Sequence, residues 1–382
     1  MIPPSTVLTR LLQMPELASG LGPRDWETLI AQAHATGLAA RLGTRLRTAG
    51  LGASLPPAVE LQIRSAENLA RRQYQQTLYE IGNLTQALRA EDIPAILLKG
   101  AAYIALGVPA GDGRHLSDID LMVPQAKIGE AESALMRAGW VATERDAYTQ
   151  RYYREWMHEI PPLVHVRRHT VVDLHHTILP PTARHRIDAA ALFRAARSVP
   201  GIPCLTVLSP VDMVIHSAVH LFHEGEFDRG LRDLSDLDGL ITHFVPQETD
   251  FWDELVDRAR ELGVTRSLFY AVRYCHIFLG APVPAAILTR LSREGPGGWH
   301  VALMDSAFVR ALKPHHPSSE DALTPAARFL LYVRSHWLRM PVRLLIPHLV
   351  RKFWMRRQAA KPPPPCPSHP PLHPPICATD TD

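Results

Sequence analysis

Cysteine is scarce in this chain: four in 382 residues, Cys204, Cys275, Cys366 and Cys377, with no C-x-x-C pair among them. That scarcity argues against a structural zinc held by thiolates and for a reducing compartment. Net charge is nearly absent too, +3 at neutral pH with a pI near 8.7, too mild without a clustered patch to mark a nucleic-acid binder. No apolar run reaches the length of a membrane span. The opening, MIPPSTVLTRLLQMPELAS, lacks a basic start, and Arg10 interrupts its apolar residues, so it does not read as a secretory signal. Internal repeats are missing as well. The expected address is cytoplasmic. The composition itself, 46% hydrophobic and 21% charged, permits a well-buried core and two or three domains.

The most informative stretch is residues 93–124, IPAILLKGAAYIALGVPAGDGRHLSDIDLMVP. An apolar run ends at Lys99-Gly100, a short helical pattern and a Gly-rich loop follow, and a second apolar run carries two aspartates. This predicts strand, tight turn, helix, loop, strand. Asp118 and Asp120 are two apart on the second strand, so both carboxylates share one face, opposite Ile119, Leu121 and Val123. Two like charges held side by side call for a cation, and oxygen-only ligands suit Mg²⁺ or Mn²⁺ beside substrate phosphates. Gly100 at the helix start would let a backbone N–H approach an anion. Taken singly, D-x-D and K-G are common; their order and placement at strand ends carry the reading.

A second pattern lies at PPLVHVRRHTVVDLHHTI, residues 161–178, two β-rich runs joined at Arg167-Arg168-His169 as a hairpin. Val171, Asp173 and His175 share one face of its second arm. An acid inside an apolar strand is costly to bury unpaired, so Asp173 needs a partner or a metal. His175 is placed to hydrogen-bond the acid or a substrate phosphate, or simply to pack.

The runs L-L-K-G-A-A, R-x-x-S-D-I-D-L-M-V and V-V-D-L-H-H together resemble the nucleotidyltransferase superfamily, in particular its uncharacterised bacterial members associated with biosynthetic clusters. The resemblance implies an α+β fold, a mixed sheet with helices, and transfer of a nucleoside monophosphate from a Mg²⁺- or Mn²⁺-bound NTP, taken as ATP, by a two-metal carboxylate mechanism. It implies Asp118, Asp120 and Asp173 as metal-holding and catalytic acids, and Lys99, Gly100, Arg114 and Ser117 as nucleotide-binding residues. The acceptor, a small molecule, peptide or protein, is left open. Ala101 stands where the superfamily has Ser or Gly, and the loop from Gly100 to Asp118 is longer than usual. Both departures also suit a non-catalytic nucleotide- or partner-binding module on the same scaffold.

Around this region the pattern is helical. Residues 57–89 read as one long helix carrying Arg64, Arg71 and Arg72, and 127–138 as an amphipathic helix stopped by Gly139. From Ser209 onward helices return. His216, His220 and His223 lie at metal-ligand spacing but lack the Glu of H-E-x-x-H. Arg232 and Asp236 stand one turn apart, placed to pair. The expected divisions are an N-terminal helical segment (1–73), a catalytic domain (74–208), a C-terminal helical domain (209–357) and a proline-rich disordered tail (358–382). Within 339–357, basic residues mixed with aromatic and aliphatic bulk read either as a peripheral contact with the inner membrane surface or as a domain-closing helix.

Overall fold

Seven strands build one mixed sheet: β1 (Ala95–Leu97), β2 (Asp118–Met122), β3 (Trp140–Ala142), β4 (Leu163–His165), β5 (Val171–His175), β6 (Arg197–Val199) and β7 (Ile202–Val207), in the spatial order β3-β4-β5-β2-β1-β7-β6. They belong to a computed structural model that describes residues 6–144, 146–223, 225–341 and 343–345. Most of the basic segment 339–357 and the whole tail 358–382 lie outside the described residues.

The middle of the sheet explains the sequence pattern. β1 is a fully buried apolar run, as a strand covered on both faces must be. It runs antiparallel to β2, with Leu97 opposite Leu121, and parallel to β7, with Ile96 opposite Thr206. β2 runs parallel to β5 in a register that sets Leu121 beside Leu174 and Asp120 beside Asp173. Alternation then sorts the faces. Ile119, Leu121, Val172 and Leu174 are buried, each worth about 1.5–3 kcal/mol of apolar burial. The acids take the other face of the same strands.

The long helix Pro57–Arg89 has the predicted bounds, with Pro57 at its first turn, where a missing N–H costs nothing. Ile63, Ile81, Leu84 and Leu88 form its buried stripe. It packs on the helices Lys99–Leu106 and Ile128–Arg137 and on β7. Buried Glu80 receives Arg168 from the β4–β5 turn at 2.8 Å. Arg64 pairs with Glu60 at 2.9 Å, while Arg71 and Arg72 are exposed. The helix Ile128–Arg137 ends just before Gly139, whose φ of 102° favours glycine.

Two strands come unannounced, and one expectation changes. The chain between the β4–β5 hairpin and Ser209 contains β6 and β7, which the sequence pattern does not announce, and β7 lies directly against β1. Arg232 does not pair with Asp236; it holds Asp233 at 2.7 Å. Asp236 is buried, and two buried guanidiniums from elsewhere claim it: Arg41 at 2.8 Å and Arg114. Arg41, from the helix Ala39–Thr48, also donates to the carbonyls of Ala110 at 2.7 Å and Asp112 at 3.3 Å. The loop leading into β2 is therefore clamped between the helices Ala39–Thr48 and Gly230–Phe244, and residues up to Pro341 form one unit. No helix among the described residues is long and apolar enough to cross a membrane.

Candidate active site

β1 and β2 position the first charged pair. Leu98 N–H donates to the Asp120 carbonyl at 3.0 Å, which leaves the next residue, Lys99, beside Asp120. Lys99 takes a positive φ of 45°, a conformation that costs a non-glycine residue about 1 kcal/mol or more. Its Nζ lies 2.8 Å from Asp120 Oδ1, so the strained turn holds an ammonium on the acid.

Asp120 is buried and accepts from a second donor, His175 Nε2, at 3.0 Å. Burial would raise its carboxyl, but the Lys99 ammonium and His175 outweigh it and hold the group well below the usual carboxylate range. The same contact, with Glu159, raises His175 against the opposing effect of its burial.

Asp173 stands beside Asp120 on the neighbouring strand, and its environment has the opposite sign. Burial first, then the charges of Asp120, Glu159 and Asp118, push its carboxyl up to about 7. Its Oδ1 is buried with no hydrogen-bond partner. Arg168 does not relieve it, since that guanidinium is spent on Glu80. Asp118 sits one pleat away at the mouth of the site and accepts from exposed Ser117 Oγ at 3.1 Å. A cleft of about 310 Å³, lined in part by Ser117, Asp118, Gln73, Gln76 and His115, opens beside it along the long helix. A larger cavity of about 600 Å³, lined by Arg184, Arg266 and Arg334 among others, touches none of the three acids.

Not every expected residue joins this cluster. Arg114 is buried with its guanidinium on Asp236 and over the Tyr103 ring, 5.6 Å from its centroid. Gly100 is buried too, and a Cβ there would run into the side chains of Leu116 and Arg114. Glycine at 100 is therefore required by packing. His175 bonds Asp120 and not the acid of its own strand.

Three other histidines complete the surroundings. His216, on the helix Pro210–His223, is buried, and burial together with Lys99 and His175 lowers it to about 3. His220 and His223 are lowered as well, chiefly by burial. Among the described residues these three do not form a metal-binding group. The donors that do come together are His158, Glu159 and His175. His158 and Glu159 escaped sequence reasoning because they lie in irregular chain after a π-helical turn, Tyr152–Trp156; the adjacent H-E pair was the one available signal.

A mixed sheet with carboxylates in register on adjacent strands, fed by a strand–turn–helix and flanked by helices, makes this an α+β protein. The family model described as "Uncharacterised nucleotidyltransferase" matches residues 22–280, and the chain belongs to that family. Membership carries nucleotidyl transfer as the class of chemistry and an NTP as the class of substrate. No curated protein and no solved structure matches the chain.

Proposed function

We propose that the chain transfers a nucleoside monophosphate from a Mg²⁺- or Mn²⁺-bound NTP, ATP in the first instance, to a small-molecule, peptide or protein acceptor. The observation that carries the reading is Asp173 beside Asp120 with its Oδ1 buried and unpartnered. Three acids on one face with a net deficit of donors fit a hard divalent cation. Asp118, Asp120 and Asp173 would hold it. Such ions, held there, would neutralise the triphosphate and make the acceptor's oxygen a better nucleophile.

The chain's own residues supply the rest. Lys99, fixed at the turn, sits where an ammonium can leave Asp120 for a phosphate oxygen. Ser117 and Asp118 face the cleft in which the triphosphate would lie. Asp173 would also take the acceptor's proton; without a cation, burial and the charges of Asp120, Glu159 and Asp118 push its carboxyl up to about 7. Gly100 and Arg114 support this arrangement from beneath through packing and the Asp236 pair.

A second reading, a non-catalytic nucleotide-binding module, draws on the Lys99 ammonium already seated on Asp120 and on Ala101 in place of a hydroxyl. One experiment separates the two. Purified protein with Mg²⁺, each radiolabelled NTP and a cell lysate as the source of acceptor should release pyrophosphate and label a product, and Asp118→Ala or Asp120→Ala should abolish both that transfer and Mn²⁺-dependent NTP binding by calorimetry. Binding without pyrophosphate from any NTP would favour the module, and wild-type affinity in either variant would remove the site.

A further inference from the structure

We propose that His158, Glu159 and His175 form a second cation site, selective for a divalent transition metal of the zinc class, beside the three carboxylates. Glu159 and His175 are partners in an isolated antiparallel bridge, which sets their side chains next to each other. The His158 ring lies against His175, centroids 5.2 Å apart. His175 Nδ1 is 3.5 Å from Glu159 Oε2, and His158 Nε2 is 4.0 Å from the same oxygen. Tetrahedral bonds of about 2.0–2.1 Å place donors about 3.4 Å apart; the three donor atoms already lie within 4.8 Å of one another, so His158 has to close in while His175 and Glu159 are near that spacing.

The hydrogen bonding of His175 assigns its lone pair. Nε2 faces Asp120 Oδ1, an oxygen that already accepts from Lys99, so in the neutral ring the hydrogen resides on Nε2. Nδ1 then presents a lone pair toward the Glu159 carboxylate. That nitrogen is buried with no hydrogen-bond partner. A lone pair facing a carboxylate repels it unless a proton or a metal cation lies between them, and two neighbouring imidazoles with one carboxylate favour the metal. A carboxylate behind an imidazole whose other nitrogen binds metal is the usual support of a metal-ligating histidine, fixing its tautomer and raising its basicity. Here Asp120 provides it.

The donor set separates this site from its neighbour. Two imidazole nitrogens and one carboxylate oxygen suit Zn²⁺ and other late divalent ions, whereas the all-oxygen acids suit Mg²⁺ or Mn²⁺. Through His175, a cation here would tighten the Nε2–H···Asp120 bond and fix the carboxylate's orientation without nucleotide. It would act as a fastener on the acid face.

The test uses the full-length untagged protein, stripped with chelator and titrated with Co²⁺ in the absence of nucleotide. The wild type should develop the visible absorption of cobalt bound to histidine and carboxylate in a low-coordinate site, displaced by Zn²⁺ and untouched by Mg²⁺. His158→Ala, and the near-isosteric Glu159→Gln, should each weaken Co²⁺ binding by at least about tenfold, while Asp118→Asn should keep it. Absence of the absorption in the wild type overturns the proposal, because an imidazolium between Asp120 and Glu159 would then account for the geometry. Loss of binding in Asp118→Asn with none in the other two variants also overturns it, since the ion would then lie on the carboxylates, an outcome that leaves the nucleotidyl-transfer reading intact.

Discussion

Replacing Asp173 by asparagine keeps the side chain's size and removes its charge, and the structure predicts opposite consequences for stability and turnover. The folded carboxyl titrates near 7 against an ordinary 3.8, chiefly because it is buried and then because Asp120, Glu159 and Asp118 repel its charge. The unfolded chain therefore releases this proton first, and the native state loses stability as pH rises from about 4 to 7. At about 1.4 kcal/mol per pH unit, the accumulated penalty is about 4 kcal/mol at pH 8 and only about 1–2 kcal/mol at pH 5. Asp173→Asn removes it. In urea unfolding with chelator present, the variant should be more stable than the wild type by an amount that grows from pH 5 to pH 8. Its pyrophosphate release should fall at least about a hundredfold, because the proton acceptor and one ion-holding oxygen are gone. A variant less stable than the wild type at pH 8 would mean that the carboxylate is already satisfied, and full turnover would remove Asp173 from the chemistry.

Gly100→Ala should lower stability by about 1–3 kcal/mol through overpacking against Leu116 and Arg114, more than the gain of about 1 kcal/mol in helix propensity; an unchanged unfolding midpoint would contradict the packing role. His216, lowered to about 3 mainly by burial and then by Lys99 and His175, stays neutral in the fold but charges near 6.5 when unfolded. Its contribution is complete above that value and declines as pH falls toward 3, by about 2 kcal/mol between pH 7 and 5. His216→Gln should flatten the wild type's change in unfolding free energy over that interval by this amount, and an identical pH dependence in the two proteins would refute the assignment.

The strands carrying the acids were legible because a two-residue alternation of acid and aliphatic side chains has one simple solution, a sheet with one apolar face. The same rule placed Asp118, Asp120 and Asp173 without any contact information. Their mutual register was not legible, since the parallel pairing of β2 with β5 is a long-range fact. β7 was hidden by Pro203 in a short apolar run, which reads against a strand. Only the resemblance set Arg114 among the nucleotide-binding residues. Its partner, Asp236, lies far along the chain, and no local pattern links them. His158 and Glu159 were missed for a related reason: irregular chain has no periodicity, and only the bridge to His175 gives the pair a meaning.

The Arg41 contacts bear on how the protein can be divided. A fragment beginning at Tyr74 would retain every strand and all three acids, and by sequence alone it is the natural piece to express. It would also leave Asp236 with one guanidinium instead of two and free the carbonyls of Ala110 and Asp112. Removing one member of a buried charge network costs about 3–5 kcal/mol, a large part of a typical domain's total stability. The loop that delivers Asp118 to the sheet is held by Arg41 and by Asp236, so a cut that removes either one loosens β2 itself. A shortened version that keeps the clamp includes at least the helices Ala39–Thr48 and Gly230–Phe244.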